Sequence, residues 1–136
     1  MKSKLSLYAV CCMLAAVLPA QWLETTIYLP DTTPGVLCWN STDNKVYCAN
    51  CYGNNVTVID GATNQVIATA AAGVCPLALC YNPQNNKVYC ANQISSDVTV
   101  IDGATNGVVA TVTAGQNPRA LCYRRYVKRR CNIPAL

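Results

Sequence analysis

The sequence predicts an all-β fold of short antiparallel strands, on three observations. The stretch Asn44–Asn64, "NKVYCANCYGNNVTVIDGATN", returns forty-two residues later as "NKVYCANQISSDVTVIDGATN", Asn86–Asn106. Between the shared words lie clusters of turn-forming residues at hairpin distance. Beyond the first twenty residues, no segment sustains a helical period of apolar positions.

The repeat keeps its register without a gap. Pro34, Pro76 and Pro118 are equally spaced, as are Cys38, Cys80 and Cys122. Within one period, "LALCYN" (Leu77–Asn82) is apolar and runs into the turn cluster Asn82–Asn86. "KVYCAN" (Lys87–Asn92) follows as its hairpin partner. "DVTVID" (Asp97–Asp102) alternates β-branched residues and reads as a third strand. "DGATN" is the next turn, where Asp102 accepts backbone N–H bonds and Gly103 permits positive φ. "GVVATVTA" (Gly107–Ala114) is the fourth strand. Four antiparallel strands in about forty residues make one blade of a β-propeller, which buries its faces only by stacking on neighbours. The small residues Ala49, Ala68, Ala91 and Ala110 suit close packing of blades. Two whole blades are expected, at about 34–75 and 76–117, with strands over Gly35–Ala72 and Leu77–Ala114.

The ends differ from this body. Lys2 and Lys4 precede an apolar run, Leu5–Leu18, and Pro19-Ala20 offers a small-residue end. That is the layout of a secretory signal peptide over residues 1–20, here an N-terminal helix; a buried apolar helix is the other reading. The run is short of the roughly 20 apolar residues a membrane span needs, so no span is expected once the leader is removed. The body from Gln21 to Asn117 holds two cations, Lys45 and Lys87, against six acids. The formal charge of +4 therefore comes from the leader and from a basic C-terminal stretch, Arg119–Arg130. A nucleic-acid surface needs a basic face on the folded body, and the repeats offer none.

At "VYCAN…VTVIDGATN…VVATV" the chain resembles the YVTN-type β-propeller repeat of exported and surface-layer proteins. The resemblance rests on Tyr47, Asn50 and Asp60 in the first copy and Tyr89, Asn92 and Asp102 in the second, and on Gly73–Pro76 and Gly115–Pro118. Cys48 and Cys90 stand where that family has valine. The resemblance covers about Leu23–Tyr123 and implies a propeller within residues 21–123. It aligns "ETTIYLPDTTPGVLCW" with "VIATAAAGVCPLALCY", so Glu24–Leu29 reads as a fourth strand without its blade, and Arg119–Tyr123 as a first strand without its blade. The family's rings resemble seven-bladed propellers. Residues 124–136 break the pattern, and the chain reads as the front of a longer propeller with a foreign tail; a genuine basic tail is the alternative.

Candidate chemistry is sparse. Histidine is absent, which removes the commonest general base and metal ligand. Cys48-Ala49-Asn50-Cys51 is a lone C-x-x-C with no second knuckle for zinc. Cys38 with Cys48, and Cys80 with Cys90, flank hairpins and are candidate cross-strand disulfides; small buried apolar residues are the competing reading. Cys51, Cys75 and Cys131 have no repeat partners. Asp60 and Asp102 read as turn formers, not as a carboxylate pair. Asn40-Ser41-Thr42 and Asn55-Val56-Thr57 match the glycosylation sequon. No residue is therefore assigned a catalytic, cofactor-binding or metal-ligating role, and no cofactor is expected. The expected function is a non-catalytic exported module that binds a protein or envelope partner, or builds a surface layer. It is expected to need further blades or self-association. A fragment of a lactonase-like or quinoprotein-dehydrogenase-like propeller enzyme is the alternative that the resemblance leaves open.

Overall fold

The computed structural model describes residues 25–29 and 33–125. The expected signal helix, most of the basic tail and Cys131 lie outside the described residues. Among the described residues, eight strands form two sheets, each a simple meander: β1 (Pro34–Asn40), β2 (Lys45–Asn50), β3 (Asn55–Asp60) and β4 (Val66–Ala71), then β5 (Pro76–Asn82), β6 (Lys87–Asn92), β7 (Asp97–Asp102) and β8 (Val108–Thr113). These are the two blades, within a residue or so of the expected bounds.

The turns explain why the strands stop where they do. Asn44, Asn54, Asn86 and Ser96 each close a four-residue turn at φ between 51° and 55°. Asparagine tolerates that left-handed region better than other L-residues because its short side chain bonds locally. In the "DGATN" turns the positive φ falls on Asn64 (59°) and Asn106 (62°), while no described glycine has positive φ. Gly103 is instead required for space. A Cβ there would lie 2.4 Å from Asn86 Oδ1 and 2.6 Å from Asn40 Nδ2, an atom of the neighbouring blade.

Strand pairing sets which residues share a face. Tyr47 lies opposite both Cys38 and Val58, and Val58 opposite Ala68. This row points at blade 2. Tyr47, Val56, Val58 and Ala70 bury themselves there against Val88, Cys90 and Ile101, with Leu79 and Tyr81 packed alongside. Full burial of a valine-sized side chain stabilises by about 1.5–3 kcal/mol, so this inter-blade layer is the main apolar core.

The same register corrects the candidate disulfides. Cys48 lies opposite Leu37, not Cys38, and Cys90 lies opposite Leu79, not Cys80. A one-residue offset places the members of each pair on opposite faces of their sheet. Cys38, Cys48, Cys80 and Cys90 are all free thiols. The disulfide joins Cys51 in the β2–β3 turn to Cys75 in the linker between blades.

The two expected flanking strands do not form. Residues 25–29 and 118–125 have no regular secondary structure. Each would have to pair with a strand of another blade, and strand hydrogen bonds exist only in pairs.

Candidate functional site

Among the described residues, polar side chains interact extensively at the seam between the blades. Lys45 opens β2, two residues before Tyr47, so both point to the same face. The Lys45 Nζ donates to Gly103 O (2.7 Å), Ala104 O (3.2 Å) and Asn106 Oδ1 (3.0 Å). An ammonium has three donors, and all three are used on one turn of blade 2. The Tyr47 hydroxyl reaches the same turn, 3.2 Å from Asn106 Oδ1 and 3.4 Å from Gly103 O. Burial pushes the Tyr47 phenol up to about 12, so it stays neutral and can donate.

Asp102 shapes the turn that Lys45 caps. Its Oδ1 accepts from the Thr105 N–H (2.9 Å) and hydroxyl (3.1 Å). Asp60 does the same in blade 1, accepting from Ala62 N, Thr63 N and Thr63 Oγ1 at 2.8–2.9 Å. These bonds, the threonine N–H first, hold both carboxyls below the usual aspartate range. Both aspartates are therefore turn formers one blade apart.

A second group locks the opposite strand of the seam. Asn40 accepts from Thr42 N (2.9 Å) and Asp43 N (3.1 Å), and donates to Asp43 Oδ2 (3.1 Å) and, across the seam, Asn86 Oδ1 (3.0 Å). Asn86 Nδ2 returns a bond to Asp43 Oδ2 at 2.8 Å. Thr42 and Tyr81 hydrogen-bond through their hydroxyls. Asn40 is fully buried, so its sequon is occupied by structure.

The signature asparagines act within a blade. Asn50 Nδ2 donates to Asn55 Oδ1 (2.7 Å) and Thr57 Oγ1 (2.8 Å); Asn92 Nδ2 donates to Asp97 Oδ1 (2.6 Å) and Thr99 Oγ1 (2.9 Å). Each clamps its own β-hairpin beneath a buried thiol, since Cys48 and Cys90 donate back to Asn50 and Asn92. Thus Tyr47 alone among the six signature residues crosses the seam. Lys45, Asn40 and Asn86 also cross it, although the sequence marks them only as a body cation, a sequon asparagine and a turn residue. The signal for Lys45 was present: Lys45 and Lys87 recur in register as the body's two cations.

The chemistry open to these groups is limited. Burial raises the thiols of Cys38, Cys48 and Cys80, and pushes Cys90 up to about 12. Thiols held protonated are poor nucleophiles and poor metal ligands. Cys51 is oxidised with Cys75, so the C-x-x-C is not a thiol pair. Beside blade 2, a cleft of about 250 Å³ is lined by Cys80, Asn82, Tyr89, Leu121, Cys122, Tyr123 and Arg124. It is smaller than a typical small-molecule pocket of roughly 300–1,000 Å³. Its position matches the seam one blade earlier: Leu121 and Tyr123 stand to blade 2 as Leu79 and Tyr81 stand to blade 1.

Among solved structures, the chain is similar to hydrazine synthase of Kuenenia stuttgartiensis (23% identity, TM-score 0.62), covering 73% of this chain and 28% of that one. It is similar to the β-propeller domain of Cps50 (Swd1) from Myceliophteria thermophila (13%, TM-score 0.60), covering 72% and 30%. It is also similar to apo AztD from Citrobacter koseri (13%, TM-score 0.55), covering 66% and 27%. The chain thus spans less than a third of each of these structures, and at these identities the likeness is one of fold. No curated protein matches the chain. The sequence profile of the YNCE-like β-propeller family matches residues 3–131. With that match over nearly all its length, and with two stacked four-stranded blades, the chain belongs to the YNCE-like β-propeller family.

Proposed function

We propose that this chain is a non-catalytic, exported β-propeller module that acts by binding a protein or envelope partner or by contributing to a cell-surface layer. The observation that carries the reading is where the recurring polar side chains go. Lys45, Tyr47, Asn50, Asp60, Asn92 and Asp102 all bond within a blade or across the seam. The repeat thus spends its chemistry on architecture. Export is supported by the basic-then-apolar leader and by the Cys51–Cys75 disulfide, since disulfides persist in oxidising compartments.

Fractionation of a bacterial host expressing the full chain tests the reading. The expected product is in the envelope or the medium, begins at Gln21 by mass, and holds Cys51 and Cys75 oxidised. Cytoplasmic, unprocessed protein with both thiols reduced would contradict it.

A further inference from the structure

We infer that blade 2 carries a head-to-tail docking face for blade 1 of a second copy of this chain. The two halves of the internal seam recur on the two outward faces, and the key residues recur unchanged. Lys87 and Tyr89 repeat Lys45 and Tyr47, the groups that reach out of a blade. Gly61-Ala62-Thr63-Asn64 repeats Gly103-Ala104-Thr105-Asn106, the turn that receives them. A copy docked as blade 2 docks on blade 1 brings Lys87 to Gly61 O, Ala62 O and Asn64 Oδ1.

Exposure marks the acceptor face as open and the donor face as partly covered, with Val100 buried and Tyr89 half-buried beside the 119–124 segment. Val112 is 54% exposed where its counterpart in the seam, Ala70, is 5% exposed. On blade 1, Leu37 and Trp39 are 67% and 61% exposed, whereas their counterparts Leu79 and Tyr81 pack on the core. Gly61 is exposed where Gly103 is buried. The donor face and the acceptor face lie at opposite ends of the stack, so the contact is heterologous. Such contacts propagate, and close into a ring when the rotation per unit allows it. Propellers close at roughly four to eight blades, more than the two described here.

The chain's own 119–124 segment now lies along the donor face. It offers the first-strand residues Leu121 and Tyr123 but no turn for Lys87 or Tyr89 to cap. An incoming β1 carries the equivalent Leu37 and Trp39 together with that turn, and so replaces the segment with a complete blade. Several positions depart from the pattern: Asn85 stands where Asp43 bridges Asn40 and Asn86, Val112 where Ala70 packs, and Gln84 and Trp39 where the Thr42 and Tyr81 hydroxyls meet, so the new seam lacks that charge and that hydroxyl pair.

Sedimentation of the purified protein over a range of concentrations tests the inference, with two variants each blocked on one face. Lys87→Glu blocks the donor face and Trp39→Glu the acceptor face; Trp39 is exposed and Lys87 half-exposed. Wild type is expected to assemble with concentration. Each variant alone is expected to lose at least about tenfold in association constant. Mixed together, the two are expected to form a one-to-one pair and stop, because one open face remains on each chain. Lys87→Met, which keeps the stem and removes the ammonium, guards against a folding artefact and is expected to weaken assembly too. Wild type that stays monomeric, a blocked variant that associates like wild type, or a mixture that does not pair would each overturn the inference. None of these outcomes depends on export or on a partner from the envelope.

Discussion

Tyr47→Ala is expected to cost about 3–5 kcal/mol in urea unfolding, the range for removing a large buried aromatic ring. The identical change one repeat later, Tyr89→Ala, is expected to cost about 1 kcal/mol, as for a partly exposed side chain. Both tyrosines sit in the same "KVYCAN" strand at the same register. Tyr47 is fully buried and bonds the turn of blade 2. Tyr89 is partly exposed, and its hydroxyl meets only its own blade's Asn85, at 3.1 Å. What separates them is the presence of a next blade. Tyr47→Phe isolates the hydroxyl and is expected to lose about 1 kcal/mol, less than the ring itself.

Replacing both Cys51 and Cys75 by alanine is expected to cost about 3 kcal/mol. The bond closes a loop with a sequence separation of 24 residues, and opening it frees that loop in the unfolded chain. The loss should appear as a lower urea midpoint, and reductant should reproduce it in wild type. The bond also sits at the blade junction. Cys75 N donates to Asn54 Oδ1 (3.0 Å) and Gln93 N donates to Cys75 O (2.9 Å), so the oxidised cysteine ties the β2–β3 turn of blade 1 to its equivalent in blade 2. An equal shift from Cys38→Ala with Cys80→Ala would contradict this assignment, since those thiols are unpaired.

The blades were legible in the sequence because their information is periodic. Turn clusters, β-branched thirds of each repeat and the constant spacing each point to the same strands, which is the agreement between local and global signals that a foldable sequence shows. The disulfide was not legible for the converse reason. Cys51 and Cys75 occur once each, and what joins them is that the β2–β3 turn and the β4–β5 linker meet at one end of the blade. The Cys38–Cys48 and Cys80–Cys90 candidates failed by one residue of register, a distinction that hairpin spacing alone does not resolve. Gly103 was assigned to the turn correctly but for the wrong reason. It makes room for Asn40 of the neighbouring blade, a constraint visible only once blades are stacked. Lys45 was the most informative omission. A lysine at the start of a strand reads as solvated surface, and only the arrival of three acceptors from residues 103–106 shows otherwise.

The two repeats stack as blades, and the Lys45 and Tyr47 side chains of blade 1 cap the "DGATN" turn of blade 2. A double-mutant cycle between Tyr47→Phe and Asn106→Gly tests it most directly. Glycine removes the Asn106 amide yet accepts its φ of 62°, so the cycle reports the contact and not backbone strain. Residues 59 apart in sequence couple only if the blades meet. A coupling energy of about 0.5–3 kcal/mol is expected for groups in contact. Strict additivity of the two single changes would show that the turn of blade 2 does not sit on Tyr47, and would contradict the stacked arrangement.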